Sequence, residues 1–144
     1  MPNDDTMFLN AKVDILSFFN PDQLRKVTPD IEHHIYKNGE SVVFKGQITD
    51  GFYIIKQGQV VVSTKNGKGQ PVSVKLGVGD FFGEMSVLED TAATAGVKAG
   101  ADGTEILTIP HDSFQKLIGM QALLLVNLKK KADERKGQLA DKSA

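Results

Sequence analysis

Cysteine is absent from this 144-residue chain, and both excess positive charge and long apolar runs are missing. Without a thiol, disulfide bonds, thiolate metal sites and cysteine nucleophiles are excluded. Since 17 lysine and arginine residues stand against 18 aspartates and glutamates, the net charge of −1 argues against general nucleic-acid binding. No apolar run approaches the roughly 18 residues that a membrane-spanning helix needs. Neither a nucleic acid nor a membrane is therefore an expected partner.

The start of the chain, MPNDDTMFLN, does not resemble an export signal. It is acidic and lacks the basic region and the apolar core of a signal peptide. The absence of cysteine also suits a reducing compartment. The sequence therefore predicts a cytoplasmic protein.

Length and apolar content favour a single domain. A chain of this size with 40% hydrophobic residues can fill one core. We predict one domain over residues 1–144, with helical ends and a strand-rich middle. The expected parts are N-terminal helices at about 8–30, a β-roll at about 32–110, C-terminal helices at about 112–139 and a frayed tail at 140–144.

The segment FFNPDQLRKV contains the strongest signals for a helix. Asn20 is a favourable N-cap, Pro21 suits the first helical turn, and Gln23 has the spacing of a capping box. A helix is therefore expected from Pro21, with Leu24 and Val27 as its contacts to the core.

The middle of the chain has the pattern of short strands separated by turns. β-branched residues are frequent, and the alternation expected of strands with one buried face is clear at residues 60–62 and 72–74. Regular short strands of this kind favour a mainly β fold, either a sandwich or a closed double-sheet roll.

Two helices are predicted after the strands. The first follows Pro110 and is opened by Asp112 or Ser113, and Gly119 is expected to break or bend it. The second is expected from residue 121 to about 139, and its lysine and arginine run is interpreted as a solvated face. Its apolar face is expected to comprise Leu124, Leu128 and Ala132 at i, i+4 spacing, widened by Leu125.

Three kinds of chemical site are considered and rejected. The run GVGDFFG is one residue longer than a dinucleotide-binding fingerprint and lies among strands. His33 and His34 are neighbours, so on a strand they point to opposite faces and cannot bind one metal together. The sequence has no nucleophile elbow and no serine, histidine and aspartate at a recognisable spacing. The chain is therefore predicted to be neither an enzyme nor a metal-binding protein, and no cofactor is expected.

The run FFGEMSVL needs another explanation, because a tight turn does not require Glu84 before a short apolar segment. FFGEMSVLEDTAATAGVKA resembles the phosphate-binding cassette of cyclic nucleotide-binding domains. This is the regulatory fold of cyclic-AMP-dependent kinase, gated channels and catabolite-activator-type regulators. Further segments resemble the family in the same order, from about residue 14 to 128: ILSFFNPDQL, YKNGESVVFKGQITDGFYIIKQGQVVV, VKLGVGDFFGE and ILTIPHDSF.

The resemblance implies a fold and a ligand. The fold is mainly β with flanking helices: a double-stranded β-helix, or jelly-roll barrel, with N-terminal helices and C-terminal hinge and lid helices. The ligand is cyclic AMP or cyclic GMP, with Glu84 accepting a hydrogen bond from the ribose 2′-hydroxyl and the backbone of residues 83–86 facing the cyclic phosphate. The strand carrying Val72 and Val74 lines the purine side. The implied binding residues are Val72, Val74, Phe82, Gly83, Glu84, Met85, Ser86, Ala93, Thr94 and Ala95.

The resemblance breaks where the family has proline and arginine. Ala92 and Ala93 occupy those positions, and residues 89–97 contain no arginine or lysine. The missing arginine is the bidentate partner of the cyclic phosphate in the family. Burying that phosphate without it costs about 2–5 kcal/mol, which is roughly 30-fold to several-thousand-fold in affinity. Lys45 and Lys98 are the cations that other strands could offer instead.

Three functions are compatible with this half-matching cassette. The chain is a stand-alone regulatory sensor domain that binds a cyclic nucleotide weakly or atypically, or a degenerate member that serves as a protein-interaction or dimerisation module. In the third alternative, its pocket is retuned for a less anionic ligand. An unknown protein partner is expected to receive the signal. Because Leu124, Leu125 and Leu128 exceed what capping a small barrel needs, a homodimer through the C-terminal helix is also predicted.

Overall fold

The elements of the computed structural model follow the predicted order of helices, strands and helices. The structure describes residues 5–49, 51–65, 68–84, 93 and 95–141, with side chains as far as residue 134. The helices are α1 (Thr6–Lys12), α2 (Pro21–Arg25), α3 (His111–Met120) and α4 (Leu123–Asp141), with 3₁₀ turns at Asp14–Leu16 and Thr28–Asp30. The strands are β1 (Glu32–Tyr36), β2 (Ser41–Val43), β3 (Gly51–Gln57), β4 (Val60–Lys65), β5 (Pro71–Leu76), β6 (Phe81–Phe82), β7 (Gly96–Ala99) and β8 (Thr104–Pro110).

The capping box predicted for α2 is present. The Asn20 side chain accepts a hydrogen bond from the Gln23 backbone at 2.9 Å, and the Gln23 side chain accepts one from the Asn20 backbone at 3.1 Å. Two donors at the start of the helix are thereby satisfied. The predicted core contacts, Leu24 and Val27, are fully buried.

The described strands form two antiparallel sheets, ordered β1-β8-β3-β6 and β2-β7-β4-β5. Each sheet joins strands that are distant in the chain, as in the pairing of β1 with β8 and of β2 with β7. The predicted mainly β fold with flanking helices is confirmed. Within the described strands, however, no backbone ladder connects one sheet to the other, so the hydrogen bonds do not close a barrel.

β3 separates two apolar cores, because successive side chains on a strand point to opposite faces. Phe52 and Ile54 pack under the helices, whereas Tyr53 and Ile55 face the other sheet. The helix-side core comprises Leu9, Val13, Ile15, Leu16, Phe19, Leu24, Val27, Ile31, Phe52, Ile54, Phe81, Leu107, Ile109, Phe114, Leu117, Leu124 and Leu128. The roll core comprises Val43, Tyr53, Ile55, Val60, Val62, Leu76, Phe82, Val97 and Ile106.

A buried carboxylate connects the N-terminal segment to the sheets. The side chain of Asp5 is fully buried, and its Oδ1 accepts a hydrogen bond from Lys56 Nζ at 2.9 Å. This bond is the main reason why the pKa of Lys56 is raised above its usual value. The Asp5 Oδ2 atom lies 2.8 Å from His33 Nε2, without the geometry of a hydrogen bond. Asp5, which directly precedes α1, is therefore held against β3 by its ion pair with Lys56.

The two neighbouring histidines have separate partners. His33 Nδ1 lies 3.0 Å from Glu105 Oε2, whereas His34 Nε2 lies 3.2 Å from Glu32 Oε1. Within the described residues, no three histidine, aspartate or glutamate side chains are grouped so that they could hold a metal ion.

α3 differs in detail from its prediction. It begins at His111 after Pro110, without a side-chain cap, and the hydroxyl of Ser113 instead donates to Asp30 Oδ2 at 3.1 Å. Gly119 lies in the last turn of the helix, which ends one residue later at Met120, so the helix stops beside the glycine predicted to break or bend it. Glycine disfavours the continuation of a helix because it loses more backbone entropy than other residues.

α4 begins two residues later than predicted and extends to Asp141, so it includes the first two residues of the expected tail. Its predicted apolar stripe is confirmed: Leu124 and Leu128 are fully buried and Ala132 is 4% exposed. The prediction of a homodimer assumes that the leucines of this helix exceed what capping the barrel needs. For Leu124 and Leu128 this premise is wrong, because both contribute to the chain's own helix-side core. No helix in the described part of the chain has both the length and the apolar character needed to span a bilayer.

Candidate functional site

β5 presents alternate side chains to the inside of the roll. Val72 is buried and Val74 is half-buried against the roll core, whereas Ser73 and Lys75 are exposed on the outer face. The strand is held by β4, where Val74 pairs with Val62. The two valines predicted at the binding site therefore share the inner face of one strand.

The two adjacent phenylalanines of β6 point in opposite directions. Phe81 belongs to the helix-side core and Phe82 to the roll core. The Phe82 ring is stacked on Tyr53, with ring centroids 4.9 Å apart and planes inclined by 6°. Offset stacking of this kind is favourable beyond the area that it buries. It fixes the end of β6 against β3.

Gly83 turns the chain away from this aromatic pair. Its φ is +88°, which a residue with a side chain adopts only under strain. A Cβ at this position would lie 2.8 Å from Tyr53 Cδ2 and 3.3 Å from the Gly51 carbonyl oxygen. The position therefore requires glycine both for its backbone conformation and for its contact with β3.

Glu84 follows this bend and is 5% exposed. Burying a carboxylate is costly unless polar groups contact it. The carboxylate of Glu84 lies two residues after Phe82 of the roll core and already interacts within the chain. When it is ionised, a carboxylate only accepts hydrogen bonds, and its two oxygens offer about four acceptor positions.

Backbone hydrogen bonds join Ala93 to the turn between β2 and β3. The Ala93 N–H donates to the Gln47 carbonyl, and the Gly46 N–H donates to the Ala93 carbonyl, both at 2.8 Å. The side chains of Ala93 and Ala95 are half-buried against the roll core. The position where the family has arginine therefore carries a methyl group that faces the same interior as Val74 and Phe82.

The two lysines considered as replacements lie in different environments. Lys98 is exposed between Val97 and Ala99, which are buried, so it lies on the outer face of its sheet. The prediction that Lys98 could replace the cassette arginine is therefore wrong. Lys45 lies in the turn that is bonded to Ala93 and is also exposed.

Three of the predicted site residues, Met85, Ser86 and Thr94, lie outside the described residues, and their roles stay predictions. Tyr53 and the turn at residues 44–47 also contribute to the candidate site, although the sequence did not predict them. Tyr53 could have been found from the alternation in GFYII, which places it on the opposite face from Phe52. Nothing local in the sequence indicates that the turn pairs with Ala93.

Comparison with known proteins identifies the family. A family model described as a cyclic nucleotide-binding domain matches residues 33–120, which is more than half of the chain. The chain belongs to the cyclic nucleotide-binding domain family. Its resemblance to this family is thereby confirmed, and domains of this kind are regulatory parts of kinase regulatory subunits.

Similar proteins include kinases and their regulators. The chain is 36% identical over 111 residues to the cGMP-dependent protein kinase egl-4 of Caenorhabditis elegans, covering 76% of this chain and 14% of the kinase. It is 34% identical over 119 residues to the cAMP-dependent protein kinase regulatory subunit of Schizosaccharomyces pombe, covering 83% of this chain and 28% of the subunit. The chain thus spans less than a third of the length of these relatives.

A solved structure confirms the similarity of fold. The regulatory domain of Toxoplasma gondii PKA, crystallised with cAMP, matches with a TM-score of 0.79 and 28% identity. The match covers 92% of this chain and 51% of the other.

Proposed function

We propose that this chain is a regulatory sensor domain that binds cyclic AMP or cyclic GMP more weakly than relatives with an arginine in the cassette. The observation that carries the proposal is Glu84, a buried carboxylate directly after the Gly83 bend and next to the roll core. In this proposal Glu84 accepts a hydrogen bond from the ribose 2′-hydroxyl, and the purine lies along Val72 and Val74.

The weakness of binding follows from Ala93. A methyl group cannot neutralise the cyclic phosphate, and the loss of a hydrogen-bonded charge pair costs about 2–5 kcal/mol. This is roughly 30-fold or more in the dissociation constant. The names of the relatives, a cGMP-dependent kinase and a cAMP-dependent regulatory subunit, support both nucleotides as candidates.

The remaining parts of the proposal concern how the signal is used. The domain catalyses no reaction and acts in the cytoplasm. Ligand binding shifts α4, which acts as a lid, and the change is read by a protein partner. These statements rest on the family's regulatory character and on the packing of α4 against the rest of the fold.

The test is calorimetric titration of the full chain with cyclic AMP and cyclic GMP. We expect saturable binding that Glu84→Gln weakens about tenfold or more, because a charge-assisted hydrogen bond is lost. Glu32→Gln, which alters an exposed carboxylate on β1, serves as the matched control. No saturable binding of either nucleotide at millimolar concentration would refute the proposal.

A second candidate function is supported by the exposed side of α4. Leu123 and Val126 are 59% and 60% exposed and lie three residues apart, on neighbouring positions of the helix surface. If the domain acts as an interaction or dimerisation module, these residues form part of the contact. Sedimentation at high micromolar concentration tests the homodimer. If the unmodified chain and Leu123→Gln both sediment as monomers, the homodimer is excluded.

A third candidate is a pocket retuned for a less anionic ligand. Its support is the apolar pair Ala93 and Ala95, which face the roll core in place of a cation. Tighter binding of adenosine than of cyclic AMP in the same titrations would favour this function over the first.

A further inference from the structure

The turn at residues 44–47 has a regular geometry. The Gln47 N–H donates to the Phe44 carbonyl at 2.9 Å, and Gly46 has a φ of +88°. Type II turns require a positive φ at their third residue, which Gly46 supplies, and Lys45 occupies the second position of the turn. The Gln47 side chain also accepts a hydrogen bond from the Phe44 N–H at 3.0 Å. The turn is thus a well-defined support for Lys45.

This turn is fixed to the segment that should carry the family's arginine. Gly46 and Gln47 each share a 2.8 Å backbone hydrogen bond with Ala93. At the other end of the segment, the Lys45 backbone nitrogen lies 4.0 Å from the point where a Cβ on Gly96 would stand. The backbone of Lys45 is therefore held beside both Ala93 and Gly96.

Other described lysines near the roll are directed elsewhere. Lys98 and Lys75 lie on strands whose neighbouring residues face the roll core, so they occupy the outer surface. Lys56 is bound to the buried carboxylate of Asp5. Lys45 is exposed, and within the described residues no carboxylate forms an ion pair with it.

We infer that Lys45 supplies the positive charge that contacts the cyclic phosphate, from the neighbouring turn instead of from the cassette. The inference rests on the cyclic nucleotide function proposed above. An ammonium group is a compact point charge on a flexible stem, so it can reach an anion without the fixed bidentate geometry of arginine. The contact is partly solvated, because Lys45 is exposed, and it is therefore sensitive to salt.

The test compares two lysine variants with two ligands on the full chain. Lys45→Gln and the control Lys98→Gln each remove one exposed positive charge from the same sheet region. Cyclic AMP carries a phosphate, whereas adenosine offers the same base and ribose without it. We expect Lys45→Gln to weaken cyclic AMP binding about tenfold or more, by loss of a charge-assisted contact, and to leave adenosine binding unchanged. Lys98→Gln should change neither affinity by more than about twofold.

Lys45→Arg provides a second measurement that does not depend on adenosine. It keeps the charge and should retain cyclic AMP binding within a few-fold of the unmodified chain. Thermal unfolding confirms that each variant is folded.

Each outcome of these titrations supports or overturns the inference. If the unmodified chain binds cyclic AMP and Lys45→Gln behaves like Lys98→Gln, the inference is wrong while the proposed function stands. Equal losses for cyclic AMP and adenosine would also overturn it, because the effect would not involve the phosphate. If the unmodified chain binds no cyclic nucleotide, the proposed function fails, and the Lys45 contact fails with it.

Discussion

The two cores of this protein differ in what they contain, although they share the strand β3. The helix-side core is filled with large, fully buried side chains such as Phe52, Phe114 and Leu124. The roll core is built mostly of valine and isoleucine, and Val74 and Ala93 at its margin are only half-buried. Dense packing of large side chains stabilises a fold. The margin of the roll core has small, half-buried groups instead, and in the function proposed above it is this side of β3 that faces the ligand.

The largest expected effect is on the helix-side core. Phe114 is fully buried, with its ring centroid 4.5 Å from that of Phe52. Phe114→Ala should lower the free energy of unfolding by about 3–5 kcal/mol, because it leaves a cavity. Urea denaturation measures this change.

Val74→Ala in the margin of the roll core should cost about 1 kcal/mol or less while weakening nucleotide binding. Equal stability losses would contradict the division between the two cores.

The bend at Gly83 is the next most sensitive point. Gly83→Ala should cost about 2–4 kcal/mol, because it combines an unfavourable φ with a clash against Tyr53. Gly39 is a matched control, since its φ is +87° and no atom lies within 4 Å of its Cβ position. Gly39→Ala should therefore cost only about 1–2 kcal/mol. If thermal or urea unfolding gives the same loss for both variants, the contact with Tyr53 is not important.

Restoring the missing arginine should strengthen binding. Ala93→Arg returns the cation to the position that matches the family, and cyclic AMP should bind roughly 30-fold tighter or more in calorimetry. Ala95→Arg is the control, because Ala95 is also half-buried against the roll core but is two residues away. In the Ala93→Arg background, Lys45→Gln should matter less, since two cations then share one phosphate. An equal gain from Ala95→Arg would show that only net charge is involved.

The smallest expected effect concerns the middle of α4. Lys131 Nζ lies 3.0 Å from Asp14 Oδ2, and this hydrogen bond is the main reason why the pKa of Lys131 is raised. Because the folded-state pKa is raised, the contribution to stability is complete below about pH 10.5, the ordinary lysine value, and is lost as pH rises through the folded-state pKa. Both groups are well exposed, so Lys131→Met should cost less than about 1 kcal/mol near neutral pH. Hydrogen exchange in α4, measured at pH 8 and after jumps above pH 10.5, would detect this loss of stability. The same change of exchange with pH in Lys131→Met as in the unmodified chain would contradict the prediction.

Local signals in the sequence were sufficient for much of the fold. The capping box at Asn20 and Gln23 was predictable, because both partners lie within one helical turn. The buried stripe of α4 at Leu124 and Leu128 was predictable from its spacing. What the stripe packs against was not predictable, since spacing shows which face is apolar and not which surface covers it. This is why the same leucines were assigned to a dimer contact.

In the candidate site, too, the features formed by neighbouring residues were predictable and those that join distant parts of the chain were not. Glu84 and its preceding glycine could be identified from the motif itself, because they are adjacent in the chain. The hydrogen bonds between Ala93 and residues 46 and 47 join parts of the chain that are far apart, and no periodicity or motif connects them. The sequence alone leaves Lys98 as a candidate cation, because only the burial alternation along β7 shows that Lys98 faces outwards.

The pair of bonds at Ala93 also has a mechanical consequence. While both bonds hold, any displacement of the chain at position 93 is shared by the turn at residues 44–47. That turn carries Phe44, and Ile48 follows it, and these side chains are 65% and 84% exposed. A displacement of the chain at position 93 would thus move two apolar side chains on the outside of the protein, where they are accessible to a neighbouring molecule.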